Sequence, residues 1–157
     1  MTLVASCQDV TAHPTFRRWL AGITSLSHCA NTYMKLSGCL SELPPGFAST
    51  AGADPAAAAG TVFAAVRPWL AAVLAAFGPA RVMFGSDWPV CTLGVRGGAC
   101  AAAEDGGEGE TGAVAWELWR QVVERMCDAA DLDGEERAMV WGGTAMGAYG
   151  IEEPAAD

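Results

Sequence analysis

The sequence is poor in charged side chains, and in basic ones most of all. Lysine and arginine together number 9 against 18 aspartates and glutamates, which gives a net charge of −9. Because proteins that bind nucleic-acid phosphates need clustered basic side chains, this balance excludes nucleic acid as a partner. Apolar residues make up 52% of the chain and charged residues 17%. This excess is typical of a segment whose apolar faces other protein covers, and also of a sequence that is simply rich in Ala and Gly.

The chain also lacks the usual signals of export and of membrane insertion. Its first ten residues have no basic start followed by a long apolar stretch. The longest apolar run, residues 56–77, is interrupted by Arg67 and Pro68, so we expect no membrane span and no membrane partner. The 6 cysteines form no C-x-x-C pair, which argues against a zinc site of that type. We therefore expect free thiols in a cytoplasmic protein.

Helices and strands are predicted to alternate along the first two thirds of the chain. Apolar residues at three- and four-residue steps predict one helix after Pro14 and another over residues 62–77, started or kinked by Pro68. Residues 32–37 and 81–85 read as short buried strands. A strand, a helix and a second strand in this order indicate an α/β protein with a parallel sheet.

The rest of the chain is predicted to hold loops and further helices within one domain, residues 1–157. Residues 43–60 have a loop-like composition, and residues 92–112 read as a flexible low-complexity insertion. Helices should follow, one with its start marked by a capping box of Asp133 and Glu136. We expect the glycines before Thr144 to end that helix, and Thr144 to cap a last one.

The concentrated chemical signal is the stretch FGSDWP, residues 84–89, directly after the second strand. In barrel enzymes the C-terminal ends of the strands carry the active site. Alternation along the strand places Asp87 on the same inward face as Met83 and Gly85. An inward carboxylate at that edge can accept a proton from an attacking water or bind a metal. Taken alone, an aspartate after a strand is more often a turn or cap residue.

Lys35 is the second residue of interest. Alternation in the first strand turns Met34 and Leu36 towards the helices and Lys35 and Ser37 inward. Lysine is unusual on a buried face unless it is paired or functional. Two roles are open for Lys35, which are binding an anionic group of a substrate and forming a structural ion pair.

The ordered set of motifs resembles the amidohydrolase-related family, in the branch that holds sugar-lactone and pyrone-dicarboxylate lactone hydrolases. After a helix with Phe16 and Trp19, the set runs NTYMKLSG (31–38), RPWL (67–70), FGP (77–79), RVMFGSDWP (81–89), GGTA (142–145) and YG (149–150). The resemblance covers about residues 14–151. It implies a (β/α)8 TIM-type barrel, of which this chain would hold only the C-terminal strands and helices, a partial barrel.

The same resemblance implies a function. Members hydrolyse a lactone or a similar carbonyl compound, a small-molecule substrate, with an activated water. Asp87 matches the family's last-strand aspartate, which implies a catalytic acid/base role, and Lys35 and Trp88 are the expected substrate-binding residues. Some members use a divalent metal such as zinc. Asp87 is a metal ligand here only if histidines from the rest of the barrel join it.

The sequence departs from the family where histidines are concerned. The family's first strand carries a His-x-His pair and a middle strand carries another histidine, whereas this chain has only His13 and His28, which fit neither. We therefore expect a truncated, catalytically incomplete form that is poorly folded or self-associates through open barrel edges. A sharp, concentration-independent thermal transition of a monomer would contradict self-association. The alternatives are a non-catalytic interaction protein and a truncated gene product without a function.

Overall fold

Five helices surround a two-stranded parallel sheet in the described part of the chain. The computed structural model describes residues 9–44, 47, 54–94 and 108–152. Its elements in chain order are α1 (Pro14–Ser27), β1 (Met34–Leu36), α2 (Pro55–Phe77), β2 (Val82–Phe84), α3 (Glu108–Ala129), α4 (Gly134–Ala138) and α5 (Thr144–Tyr149). Short 3-10 turns lie at Val10–Ala12, Pro79–Arg81 and Val90–Gly94. The predicted strand, helix, strand order with parallel pairing is confirmed, with Lys35 opposite Met83.

Helix α1 begins at Pro14, as the sequence predicts. Proline is favoured at the first helical position because it needs no hydrogen-bond acceptor there. The His13 ring caps the helix, since its Nδ1 accepts a hydrogen bond from the Thr15 amide at 3.2 Å. Phe16 is buried and packs edge-on against Trp69, with ring centroids 5.4 Å apart. This aromatic contact fixes α1 on α2.

Helix α2 is longer than the sequence predicts. The loop expected at residues 55–60 and a helix start at Pro68 were wrong, because one helix runs from Pro55 through Pro68 to Phe77. A kink at Pro68 stays a prediction. The Asp54 carboxylate accepts from the Ala57 amide at 3.0 Å and caps the new start. Four consecutive alanines follow Pro55, and alanine has the highest helix propensity.

One face of α2 forms much of the core. Its buried residues recur every three or four positions, and they are Ala58, Ala59, Val62, Val66, Leu70, Val73 and Phe77. By length and composition alone, α2 is a helix that could cross a membrane. Its outward positions are mostly alanine, which raises the hydropathy without adding large apolar side chains. One-sided burial of this kind is typical of the core helix of a globular protein.

The two faces of the sheet differ as alternation predicts. Leu36 and Val82 are buried in the core beneath the helices, and Met34 and Phe84 pack against that core. Lys35 is exposed on the opposite face. The faces assigned to Met34, Lys35 and Leu36 in β1 and to Val82 and Phe84 in β2 are therefore confirmed. Met83 shares the face of Lys35 but is buried, and it stays a prediction that this face is the interior of a barrel.

Arg81 joins the ends of two helices below the N-terminal end of β2. Its guanidinium donates to the carbonyl oxygens of Ser27 and Cys29 at the end of α1, at 2.9 and 3.3 Å, and to that of Phe77 at 3.3 Å. The same group lies 5.1 Å above the Phe77 ring. Because the last carbonyls of a helix have no partners within it, one cation here satisfies both α1 and α2.

Helix α3 packs along α2 and reaches the sheet. Trp119, 1% exposed, donates from its indole nitrogen to the Leu36 carbonyl oxygen at 3.1 Å. The helix starts at Glu108, so the end of the insertion predicted for residues 92–112 is helical. Residues 92–94 belong to a 3-10 turn. Residues 95–107, and with them most of that prediction, lie outside the described residues.

The C-terminal helices confirm one predicted cap and correct another. Asp133 and Glu136 form the capping box, with hydrogen bonds of 2.9 and 3.1 Å. The predicted break before Thr144 was wrong, because a π-helical turn, Met139–Gly143, leads directly into α5. A side chain on Gly143 would meet the Met139 sulfur at 2.8 Å, so this glycine serves close packing. Thr144 caps nothing; its buried hydroxyl donates to the Pro79 carbonyl oxygen at 3.1 Å.

Candidate active site

The site is built where β2 ends. The Gly85 amide makes the last ladder bond, to the Leu36 carbonyl oxygen at 3.1 Å, and the chain then turns away from the sheet. Asp87 adopts a left-handed backbone conformation, with φ of 57°. Such a conformation costs about 1–3 kcal/mol in a residue with a side chain and is concentrated at functional sites. The Cys91 amide donates to the Asp87 carbonyl oxygen at 2.9 Å and holds the turn closed.

The Asp87 carboxylate lies over the end of the neighbouring strand. Its Oδ2 is 3.7 Å from the point where a Gly38 side chain would begin. Gly38, with φ of 77°, follows β1 as Asp87 follows β2. The C-terminal ends of both parallel strands therefore meet at one carboxylate, the position that barrel enzymes use for catalysis. Within the described ranges, no side-chain hydrogen bond uses this carboxylate, so it is free to accept a proton.

Lys35 lies on the face of the sheet opposite to Leu36 and Val82, where it is exposed while its strand partner Met83 is buried. It is the one lysine of the chain, a point that the spacing arguments overlooked. The ion pairs found among residues 9–44, 54–94 and 108–152 do not involve it. Of the two roles open for Lys35, the structure thus gives no support to the structural ion pair within these ranges.

Trp88 follows Asp87 and is 66% exposed. One edge of its indole lies against the beginning of α3, since a side chain on Gly112 would meet the Trp88 Nε1 at 3.0 Å. The rest of the ring faces solvent. A flat apolar surface beside a catalytic group can cover one face of a small ring-shaped ligand.

Two cysteines near Asp87 were not recognised from the sequence as part of this region. Burial, followed by the negative charges of Asp87 and Glu42, raises the pKa of Cys39 to about 11. Burial and the Asp87 charge also raise the pKa of Cys91. Both thiols are therefore protonated at neutral pH and unreactive as nucleophiles, because the thiolate is the reactive form. They line the site as small apolar groups.

A groove of about 520 Å³ runs along the outer edge of β1 between α1 and α2. Its wall is largely apolar and includes Trp19 and Trp69. The groove also has polar lining residues, among them Lys35, Ser37 and Glu42. The groove therefore includes both a tryptophan-rich surface and Lys35.

Neither histidine joins Asp87 in this region. His13 caps the start of α1, and His28 stands at its C-terminal end, both of them exposed. In the part of the chain that the structure describes, no three His, Cys, Asp or Glu side chains lie close enough together to hold a metal ion. Asp87 is thus the candidate metal ligand at the strand ends, and among the described residues it has no set of partners that would complete a metal site.

Comparison with known proteins identifies the family. The amidohydrolase family model matches residues 8–151. The chain is 32% identical over 138 residues to an L-fucono-1,5-lactonase of Burkholderia multivorans, covering 88% of this chain and 37% of that protein. It is 29% identical over 145 residues to an L-rhamnono-gamma-lactonase of Scheffersomyces stipitis, covering 92% and 36%.

An L-fucono-1,5-lactonase of Burkholderia ambifaria shows 32% identity over 139 residues, again 37% of its length. The chain thus spans little more than a third of the curated relatives that it matches. No solved structure matches it. Because the family model covers nearly all of the sequence and the relatives align over most of it, the chain belongs to the amidohydrolase family.

Proposed function

We propose that this chain supplies part of the active site of an enzyme that hydrolyses sugar lactones, with Asp87 as the residue that moves the proton. The observation that carries the proposal is the Asp87 carboxylate, held by a left-handed turn over the joint C-terminal ends of β1 and β2. The relatives supply the substrate class, since those compared are named as lactonases of fucono- and rhamnono-lactones.

The same proposal makes β1 and β2 neighbouring strands of a (β/α)8 barrel. Two parallel strands joined by a helix are the repeating unit of that fold, and α2 joins β1 to β2 here. The face that carries Lys35 is then the barrel interior, and the edge at Asp87 is the catalytic edge. Open strand edges and the groove beside β1 also support pairing with further protein, either the rest of a barrel or another copy of the chain.

Hydrolysis at this site needs one water and one group that moves a proton. The ionised Asp87 takes a proton from the water as the water oxygen attacks the lactone carbonyl carbon. The tetrahedral intermediate then collapses, and the bond between the carbonyl carbon and the ring oxygen breaks. Asp87 returns its proton to the departing ring oxygen, so that the product is an open-chain hydroxy acid and the carboxylate is restored.

Lys35 and Trp88 would bind the substrate. The positive charge of Lys35 favours the oxygen that becomes negative during attack and the carboxylate of the product. The exposed indole of Trp88 offers an apolar surface to one face of the sugar ring. Trp88 directly follows Asp87 in the chain, and the Lys35 stem lies against Gly85, two residues before Asp87.

The amidohydrolase family generally uses a divalent metal. The residues that the structure describes do not fit such a group by themselves, because they bring a single carboxylate and no histidine to the strand ends. We propose that Asp87 is a metal neighbour, for zinc or another divalent ion, only in a protein where histidines from other strands complete the site. The proton transfers assigned to Asp87 do not depend on it.

The test is the substitution Asp87→Asn in the protein that carries this chain. Asparagine tolerates the left-handed backbone and keeps the side-chain shape, but it cannot take a proton. We expect hydrolysis of L-fucono-1,5-lactone or L-rhamnono-gamma-lactone, followed by acid release with a pH indicator, to fall by about 10²–10⁴-fold. Unchanged thermal unfolding would show that the structure is intact.

Asp131→Asn is the matched control. Asp131 has the same left-handed conformation, with φ of 53°, but follows α3 and is exposed. Its substitution should leave hydrolysis unchanged. Undiminished hydrolysis by the Asp87→Asn protein, or no hydrolysis of any sugar lactone by the unaltered protein, would overturn the proposal.

A further inference from the structure

We infer that Gly85 is a positioning residue for Lys35. Because glycine has no side chain, it leaves the space in which the aliphatic stem of Lys35 runs towards the end of the sheet that carries Asp87. The inference rests on the proposed function only in assigning Lys35 to the carboxylate of the hydroxy-acid product and to the oxygen that becomes negative during attack. The position of the stem itself is read directly from the structure.

The stem of Lys35 runs towards the catalytic end of the sheet. The Lys35 backbone stands opposite Met83 in the strand pair. Its Cγ and Cδ, however, both lie 2.9 Å from the point where a Gly85 side chain would begin, and Gly85 comes two residues after Met83, directly after the end of β2. The stem has therefore crossed from the level of Met83 to that of Gly85, and Asp87 follows by two residues.

Space, and not backbone freedom, explains the glycine at this position. The glycines with positive φ in the described ranges are Gly38, Gly78 and Gly150, and Gly85 is not among them. Any amino acid could adopt its backbone conformation. A single methyl group at Gly85 would nevertheless approach the middle of the lysine stem to 2.9 Å, closer than real Cβ contacts come, and the Ser37 Cβ to 3.3 Å.

A methyl group at Gly85 should therefore displace Lys35 and leave the sheet intact. The conflict involves the middle carbons of the stem and not its free end, so the whole side chain has to take another rotamer. Lys35 is exposed and can swing towards solvent. A lysine that is no longer held in place must lose rotamer freedom on binding an anion, which weakens the binding.

The experiment uses the fact that Lys35 is the one lysine. Reductive methylation with ¹³C-formaldehyde labels Lys35 and the amino terminus, and keeps the positive charge. We expect Gly85→Ala to move the Lys35 methyl signal in the NMR spectrum and to weaken the response of that signal to added L-fuconate by about tenfold, as for loss of one charged hydrogen bond. Gly60→Ala is the matched control, because nothing lies within 4 Å of a methyl group there.

A second readout covers a Gly85→Ala protein that is poorly folded. If the stem of Lys35 causes the conflict, the double variant Lys35→Ala with Gly85→Ala should unfold at the same temperature as Lys35→Ala alone. A double variant as unstable as Gly85→Ala would place the conflict elsewhere and overturn the inference. An unmoved Lys35 signal in a folded Gly85→Ala protein would overturn it as well.

The outcome separates this inference from the proposed function. In the unaltered protein, a Lys35 signal that ignores L-fuconate would contradict the substrate role of Lys35. The shift of that signal by Gly85→Ala would still be measured, and it decides the positioning role alone. Movement of the signal together with weakened L-fuconate binding supports both.

Discussion

The substitution Trp119→Phe should destabilise the protein by a predictable amount. Trp119 is almost fully buried, and its indole nitrogen donates to the Leu36 carbonyl oxygen at 3.1 Å. Phenylalanine removes the donor and part of the ring. Because the same carbonyl oxygen keeps its hydrogen bond from the Gly85 amide, the change leaves no buried acceptor without a partner.

The expected loss has two parts. A hydrogen bond of this kind contributes roughly 0.5–1.5 kcal/mol to the free energy of unfolding. The smaller ring leaves a cavity among tightly packed neighbours, for which core truncations add roughly 1–2 kcal/mol. The sum is about 1.5–3.5 kcal/mol. At about 2–4 °C per kcal/mol for a chain of this length, it lowers the unfolding temperature by roughly 3–14 °C.

Thermal and urea unfolding followed by circular dichroism measure this loss, with Trp116→Phe as the control. Trp116 is on the same helix and is 43% exposed, so its replacement should change the free energy of unfolding by no more than about 0.5 kcal/mol. Equal losses for the two substitutions would refute the reasoning, because the buried hydrogen bond and the packing of Trp119 would then stabilise the protein no more than an exposed tryptophan does.

Two further predictions concern buried polar groups. Thr144→Val removes the hydroxyl that donates to the Pro79 carbonyl oxygen and should lower the free energy of unfolding by about 1–3 kcal/mol. Thr61→Val, at an exposed hydroxyl on α2, is the control and should change it little. Equal unfolding temperatures of the two variants would contradict this prediction. At pH 8, iodoacetamide should alkylate exposed Cys29 much faster than Cys39. Burial and neighbouring negative charge raise the pKa of Cys39 from 9.0 to about 11, which leaves it about one hundredth of the thiolate that its ordinary pKa would give. Because folding raises the pKa of Cys39, the contribution of this thiol to the free energy of unfolding is fully present below pH 9 and is lost as the pH rises through 11. Equal alkylation of Cys29 and Cys39, measured by mass spectrometry, would exclude the shift.

The inward and outward faces of the strands were predictable from the sequence, whereas the ends of the helices were not. Alternation has a fixed period of two, so locating a strand is enough to assign Lys35 and Leu36 to opposite faces. Pro68 and the glycines before Thr144 were interpreted as interruptions by rules that consider one residue at a time. In the folded chain the alanines after Pro55 extend α2, and Gly143 makes room for Met139 within a continuous helical segment.

The site was predictable only in part. The sequence locates Asp87 after a strand, and alternation places Lys35 on the same face as Gly85. That the lysine stem crosses Gly85 depends on a rotamer, which no sequence period records. The bond from Trp119 to the Leu36 carbonyl oxygen was likewise hidden, because a tryptophan on an apolar helix face has the same pattern whether or not its nitrogen has a partner.

The end of the sheet at which Arg81 makes its hydrogen bonds is opposite to the end that carries Asp87. At the N-terminal end of β2, the Arg81 guanidinium binds carbonyl oxygens at the C-terminal ends of α1 and α2. The C-terminal end of the same three-residue strand leads into the turn that holds Asp87 and Trp88. Substitutions at Asp87 or Trp88 can therefore alter the chemistry without removing the hydrogen bonds of Arg81. This arrangement lets new specificities evolve on an unchanged fold.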